Sequence, residues 1–520
     1  MIGGGLAGLA SAVVLAEAGL EVHLLEKRPH LGGRATSYSL PDGSEVDNCQ
    51  HVTLGCCTNL ADFYRRVGAA DKVRFFDRLY FADRQGRRST MRASLLPPPL
   101  HMAPSFLFFR ALALADKQAI ARAMLAIARA GGDPPDIEGI SMLEWLQRMR
   151  QTPGAIERLW RVVLVSALNE ELAHMDARYG IEVFWKGFLA SRTGYHVGIP
   201  SVPLAELYEG CRGGVIRRGG QVRLRCGVRS ISVRGNRFAG VTLEDGTEVS
   251  TDACIAAVPH DALLGMLPKE MAESGAPLEG LRHIRTSPIT GVHLWFDRTV
   301  MTEPFLTLLD YTTQWIFNKS LLYAPAAGSG AAAERSTRKS QGESGRGQYL
   351  QLVISASDDL VPLSRQEIID LCRRELEDVL PATREAKLEK ATVIKEVNAT
   401  FSPEPGIDRW RPNQETGVQN LFLAGDWTRT GWPATMEGAV RSGYLAAEAA
   451  LAALRPTAGP PQKFLQPDLP FEGLSKCWAR RRGKPQSSGN RAASAAVQVH
   501  NPAFCGGVFA GGSEKRPADS

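Results

Sequence analysis

The residues with the clearest chemical purpose come first in the chain. Gly3-Gly4-Gly5-Leu6-Ala7-Gly8 is a G-x-G-x-x-G turn that runs into an apolar helical pattern (Leu9, Ala12, Val13, Ala16) and stops at Gly19. A β-rich run, Val22 to Leu25, follows and ends on the acid Glu26, with Lys27 next to it. A dinucleotide site needs that order. Gly3 permits the tight turn, Gly5 lets backbone approach a pyrophosphate, and Gly8 lets the helix pack on the strand. The first helical turn, Leu6 and Ala7 included, offers free N–H groups and the positive end of the helix dipole to phosphate. Glu26 stands 18 residues after Gly8, where a carboxylate accepts from ribose hydroxyls. A purely structural βαβ turn accounts for the glycines but not for the acid that follows in order.

Just past the acid, Gly32-Gly33-Arg34 resembles the FAD-binding amine oxidase and carotenoid desaturase superfamily. The resemblance implies FAD rather than NAD, with Gly33 and Arg34 against its pyrophosphate, the backbone of Val228 on the adenine, and Asp47–His51 passing over the flavin ring. The wording Asp47-Asn48-Cys49-Gln50-His51-Val52, then Gly55-Cys56-Cys57-Thr58-Asn59, resembles one branch in particular, the hydroxysqualene dehydroxylases of hopanoid synthesis. Members of that branch carry glycine at the place of Cys49 and an aromatic at the place of Cys57. Cysteine tolerates a positive φ poorly, so the first departure bears on the local backbone.

A second anchor runs from Asn420 to Gly443. A buried strand ends in Gly425-Asp426, a loop crosses through Trp427 and Trp432, and a helix opens near Thr435-Met436. The resemblance puts Asp426 at the ribityl or phosphate end of FAD. A helix N-terminus aimed at the isoalloxazine suits the negative charge of a reduced flavin.

The resemblance covers about residues 1–452 and implies an oxidoreductase acting on a C30 isoprenoid. Reduced FAD would deliver hydride to an allylic carbon bearing a hydroxyl, which leaves as water and gives squalene. Hydroxide leaves poorly unless protonated, and His51 and Asp47 are the candidate acids, with Glu437 third. His51 serves equally well as a loop-packing residue, and Asp47 as a turn-former. There is no second G-x-G-x-x-G and hence no separate NADPH unit, so electrons pass to or from another protein, a quinone or oxygen. Other squalene-pathway enzymes are further expected partners. Three readings stand beside this one: a carotenoid-type desaturase, a flavin amine oxidase, and an FAD-binding scaffold without turnover.

The elements that must position these residues give an α/β (α+β) fold: a Rossmann-type FAD domain interleaved with a substrate domain of mixed sheet and helices. The FAD domain is expected from residues 1–72, 203–260 and 390–452, and the substrate domain from 73–202 and 261–389. Strands are expected at 292–296 and 349–355, and helices at 59–68, 111–130, 141–150, 153–169, 204–210 and 364–380. Residues 194–200 read as a loop. The Ala/Gly/Ser-rich stretch 325–348 and most of 456–520 lack apolar periodicity and are expected to be unordered. Before the first glycine turn stand only Met1 and Ile2, where such a fold has four to six apolar residues. That predicts a central strand cut short, through a truncated chain start or at the expense of cofactor affinity.

Composition bounds the rest. The 520 residues carry a net charge of +6, of which the segment after Arg455 supplies +5, nine Lys/Arg less four Asp/Glu. The body is near neutral, so the charge gives no argument for nucleic acid. Nine cysteines without C-x-x-C or metal-ligand spacing read as reduced thiols in the cytoplasm. No secretory signal and no run of eighteen apolar residues is present. The greasy stretch Phe106–Phe109 and the basic run Arg480–Arg482 suit a peripheral contact with an anionic membrane, beside the plainer readings of domain core and solvated tail.

Overall fold

The structure, a computed structural model, describes residues 1–268, 271, 278–324, 347–456 and 461–481. The Leu6–Glu17 helix has no polar face, and every residue from Leu6 to Ala16 is buried. A helix that is apolar all round must be covered on both sides. On one side it meets a parallel sheet, and on the other the Met436–Leu454 helix, where a β-carbon on Gly443 would stand 2.3 Å from the Ala7 carbonyl oxygen. Ser11 seals that contact by donating to the Gly443 carbonyl at 2.8 Å.

The parallel sheet runs in the order Gln221–Arg223, His23–Leu25, residues 1–3, Cys254–Ala256 and Leu421–Leu423. The short opening strand therefore occupies the centre, and its neighbours are only three residues long themselves. On one side the Met1 amino group donates to His23, Leu25 N–H to Met1, and Gly3 N–H to Leu25. On the other, Ile2 N–H donates to Ile255 and Ala257 N–H to Ile2. Two residues and the first glycine thus pair on both sides.

The second sheet has seven strands in the order Leu388–Phe401, Thr286–Phe296, Gln348–Ser355, Trp315–Asn318, Phe305–Leu308, Arg78–Ala82 and Arg88–Arg92. Its outer face is covered by the Arg365–Val379 helix through Ile368, Cys372 and Leu376. The expected domain boundary at 390 falls inside a strand: Leu388–Phe401 pairs along its length with Thr286–Phe296 and belongs to this large sheet. Lys and Glu residues on both of its faces break the alternation that would have announced it.

Helices over the inner face form a lid: Leu114–Arg129, Met142–Arg148, Val162–Leu168 and Ala177–Phe184. Two π-helical segments, Ile156–Arg161 and Trp185–Leu189, interrupt this layer. Such segments are rare and concentrate at functional sites. Within the expected 194–200 loop, Val197–Pro200 is a strand between Thr53–Leu54 and Val73–Phe76. The expected 204–210 helix is a 3₁₀ segment, Leu204–Tyr208, that continues as Glu209–Ile216.

Residues 461–481 depart from the expected unordered tail. Phe464 is buried beside Tyr444, and the N–H groups of Phe464 and Leu465 donate to Glu448 at 2.6 and 2.9 Å. Phe471 packs on Trp185 with ring centroids 5.3 Å apart, and Ser475 in the Gly473–Arg481 helix donates to the Leu189 carbonyl at 2.7 Å. The anchors are too sparse to make a period, which is why composition alone hides them. Of the expected 325–348 insertion, 325–346 lie outside the described residues, whereas Gln348 opens a strand. Beyond 481, the tail also lies outside them, as do the side chains of the basic run.

Candidate functional site

The nucleotide end is built by the first turn. Gly3 sits at φ +98°, and a β-carbon on Gly8 would stand 2.0 Å from the Gly3 carbonyl oxygen, so neither place accepts a side chain. Gly5 differs: a β-carbon there would meet only the Cα of Gly33 at 3.8 Å. Space is therefore open in front of a helix start that carries no side-chain cap. The N–H groups of Leu6 and Ala7 open that helix and have no carbonyl four residues back within it. Glu26 is buried, and its two oxygens accept from the N–H groups of Gly4 (2.6 Å) and Arg28 (2.7 Å). An ionised carboxylate accepts about four bonds, so capacity for hydroxyls remains. Lys27 is exposed and pairs with Glu244 at 2.9 Å, away from this turn. Val228 is buried at the start of the Val228–Arg234 strand.

Arg34 brings the two anchors together, pairing with the buried Asp426 at 2.6 Å while its other nitrogen donates to the Ala399 carbonyl at 2.7 Å. Gly33 lies on the same turn at φ +61°. Beyond Gly425, the loop is clamped by Arg411, which sequence reasoning missed. Fully buried, Arg411 donates to the carbonyls of Asp426 (3.0 Å), Thr428 (2.6 Å) and Trp432 (2.8 Å). Thr435 then caps the Met436–Leu454 helix by accepting from Gly438 N–H at 3.0 Å. Trp427 is core, its indole N–H spent on the Val258 carbonyl at 3.0 Å.

The Asp47–His51 segment is tied to this turn by Asn48, which donates to the Arg34 carbonyl. Cys49 is absent from the positive-φ positions, so it sits there without backbone strain, and burial pushes its thiol up to about 12. Asp47 is buried and fully engaged. It accepts from Ser37 (2.8 Å), Leu204 N–H (3.0 Å), the Lys319 ammonium (2.8 Å) and the Tyr323 hydroxyl (2.8 Å). Burial alone would raise its pKa, but the Lys319 charge and these bonds outweigh burial and hold the carboxyl below its usual range. Lys319 is buried too, donates also to Gln50 at 2.8 Å, and is lowered by that burial. Nothing local announces it: it stands between Asn318 and Ser320 at the end of the Trp315–Asn318 strand.

His51 is half-buried, with Nδ1 3.0 Å from the Cys49 carbonyl, and burial lowers its pKa. Glu437 is buried, and burial raises its pKa. Its Oε1 accepts from the backbone and side chain of Asn59 (3.2 and 2.8 Å) and Oε2 from Leu60 N–H (2.7 Å). These bonds cap the Thr58–Arg66 helix, whose own first residues offer no side-chain cap. The three expected acids are thus not brought to one point: Asp47 is locked in an ion pair, Glu437 in a helix cap, and His51 is bonded to the Cys49 carbonyl.

Beside these residues lies a cavity with about 1360 Å³ of free space, mouth included. Leu79, Phe81, Phe317 and Val353 of the large sheet form one wall, and Val183 and Phe188 of the helical layer face them. Gln50, Trp432, Thr435, Met436 and Glu437 also line it. The Trp432 indole nitrogen is buried there without a hydrogen-bond partner. Its ring is flanked by the Lys186 ammonium at 4.4 Å and the Arg441 guanidinium at 5.5 Å, both tied to Asp468 of the 461–481 segment. The lining is mainly apolar, with Glu182, Lys186 and Glu437 as its charged members.

These donors suit FAD. The structure offers an uncapped helix start with open space at Gly5, a guanidinium at Arg34 and a second helix start after Thr435. Comparisons with known proteins agree. The model of the flavin-containing amine oxidoreductase family matches residues 6–451. The chain is 27% identical to a zeta-carotene desaturase of Synechocystis over 87% of its length and 96% of the relative's. It is also 27% identical to the 15-cis-phytoene desaturase of Solanum lycopersicum, over 86% and 76%. Among solved structures, an oxidoreductase from Methanosarcina mazei superposes with a TM-score of 0.64 at 16% identity, covering 85% of this chain and 97% of that one. A putrescine oxidase does so with the same score at 14% identity, covering 87% and 98%. The chain belongs to the flavin-containing amine oxidoreductase family and is an FAD-dependent oxidoreductase.

Proposed function

We propose that this protein reduces an allylic C30 alcohol, hydroxysqualene, to squalene. The observation that carries the reading is the Trp432 indole N–H, buried without a partner in a residue that lines a mainly apolar cavity. A pure hydrocarbon leaves that donor unsatisfied, whereas a substrate hydroxyl accepts from it. The wording of residues 47–59 supports the same substrate.

Bound flavin, once reduced, supplies the hydride. The chain's own groups do the rest. The cavity walls exclude water and align the allylic carbon. Trp432 holds the hydroxyl oxygen, and a proton must reach that oxygen as its bond to carbon breaks, so that water leaves while a C–H bond forms. Asp47 and Glu437 are committed as acceptors, which leaves His51 as the proposed donor, with Asp47 and Lys319 positioning the segment that carries it. Gly3, Gly5, Leu6, Ala7, Gly8, Glu26, Gly33, Arg34, Val228, Gly425, Asp426, Thr435 and Met436 are the proposed FAD contacts; the exposed Lys27 contributes at most field. An external donor re-reduces the flavin, and the protein works at a membrane surface near other squalene-pathway enzymes.

The test is an anaerobic assay of flavin-loaded protein with dithionite and hydroxysqualene, squalene being read by gas chromatography. Squalene formed only with reduced flavin supports the proposal, and its absence from a yellow, folded protein refutes it. The carotenoid-desaturase relatives favour a second reading, hydride removal from a polyene. Turnover of such a hydrocarbon with a quinone oxidant, and none of the alcohol, would establish it.

A further inference from the structure

Between the Arg88–Arg92 strand and the Leu114–Arg129 helix, the chain places large apolar side chains in water. Leu95 is 96% exposed, Phe108 83%, Leu114 70% and Leu107 63%. The backbone beneath them is pinned. Arg192 donates to the carbonyls of Leu95 (3.1 Å) and Leu96 (3.0 Å), and Lys117 to that of Leu107 at 2.7 Å. Leu474 N–H donates to the Pro98 carbonyl at 2.9 Å, which sets another part-exposed leucine against the same face. An ordered surface that shows this many large apolar groups marks an interaction site.

Charge selects the partner. From Arg88 to Arg129 the chain carries six Arg or Lys and one acid, Asp116, which is buried and bonded to Ala113 and Thr152. Arg92, Arg110 and Arg122 are exposed around the apolar tip. An apolar crest ringed by cations complements an anionic lipid surface. The crest is also one layer of side chains from the cavity. Phe109 packs on Phe81 at 5.0 Å, the Tyr195 hydroxyl accepts from Ala93 N–H at 2.8 Å, and both Phe81 and Tyr195 line the cavity.

We propose that this face docks on an anionic bilayer, with Leu95, Leu107, Phe108 and Leu114 among the acyl chains and the surrounding arginines against headgroups. A water-insoluble substrate then reaches the cavity without crossing water. The last point rests on the isoprenoid reading above, but the docking surface does not.

The test sediments the flavin-loaded full chain with vesicles of phosphatidylcholine alone, and with about one-third phosphatidylglycerol added. The expected result is binding that favours the anionic vesicles and weakens in about 0.5 M salt. Leu95→Asp with Phe108→Asp should weaken binding at least about tenfold while the thermal melt is unchanged. Arg92→Gln with Arg110→Gln should remove much of the preference for phosphatidylglycerol. No sedimentation with either vesicle overturns the proposal, as does binding that the Leu95→Asp/Phe108→Asp protein retains in full. A dimer that this pair abolishes, without vesicle binding by the parent, would assign the face to a second copy instead. Intact vesicle binding by a protein that makes no squalene leaves the surface standing and counts against the substrate alone.

Discussion

Protonation of His293 should be one of the steeper contributions to acid unfolding of this protein. The side chain is fully buried in the Thr286–Phe296 strand, with Nδ1 2.7 Å from the Tyr349 hydroxyl and Nε2 without a partner. A proton added at Nε2 would be a charge buried away from water, and burial, only partly offset by Asp47, lowers the pKa to about 3. In the unfolded chain the value is about 6.5. The native state therefore binds fewer protons than the unfolded state between those values, so stability is present above about pH 6.5 and is lost as pH falls toward the folded pKa. At about pH 4.5 the loss spans about two pH units, or roughly 2.5–3 kcal/mol at 1.36 kcal/mol per unit. His293→Phe removes this dependence. It also strips Tyr349 of its partner, which costs about 1–2 kcal/mol at every pH, so the readout is the difference between two pH values. Urea melts of the flavin-free protein, followed by tryptophan fluorescence at about pH 7 and pH 4.5, supply it. The wild type should lose about 2.5 kcal/mol more than the variant across that interval. Equal losses, within about 0.5 kcal/mol, would refute the claim that His293 is kept neutral by burial.

Three further outcomes follow from the site. Gly5→Ala should leave the melt of the flavin-free protein within about 0.5 kcal/mol of wild type yet cut flavin content per chain about tenfold or more, whereas Gly8→Ala should cost about 3 kcal/mol through its clash with the Gly3 carbonyl; absorbance ratio and urea melts separate the two. Lys319→Met strands the Asp47 carboxylate and should cost about 3–5 kcal/mol, and adding Asp47→Asn should return at least half of it, as a double-mutant cycle in urea would measure. Glu437→Gln weakens the cap on the Thr58–Arg66 helix and should cost about 1–3 kcal/mol. The pH profile of turnover should not move, whereas His51→Gln should flatten it and lower kcat with KM unchanged.

What could be read from the sequence was what is local. The glycine turn, its helix and Glu26 are contiguous, and so are Gly425-Asp426 and the helix that follows, because backbone geometry and phosphate binding both act over a few residues. The partners of those groups were not legible. Asp47 and Lys319 are 272 residues apart, and only the fold shows that the expected acid is an ion-paired anchor. Glu437 likewise resembles a site carboxylate in the text of its helix, and only contact with Asn59 and Leu60 shows it to be a cap for a different helix. The Leu388–Phe401 strand escaped because charges on both of its faces break its alternation, and 461–481 because its three aromatics are too sparse to make a period.

The parallel sheet has one more implication, for the order of events during synthesis. Its central strand leaves the ribosome some four hundred residues before the outer strand beyond it, Leu421–Leu423, and the Asp426 that pairs with Arg34. The N-terminal half of the nucleotide site must therefore wait, its apolar helix uncovered, until the Met436–Leu454 helix arrives to close over it. Long-range pairing of this kind is slow and leaves greasy surface open meanwhile. Flavin loading is thus a late event for this chain, and cells that produce it quickly with little free FAD should accumulate it as aggregate rather than as soluble colourless protein.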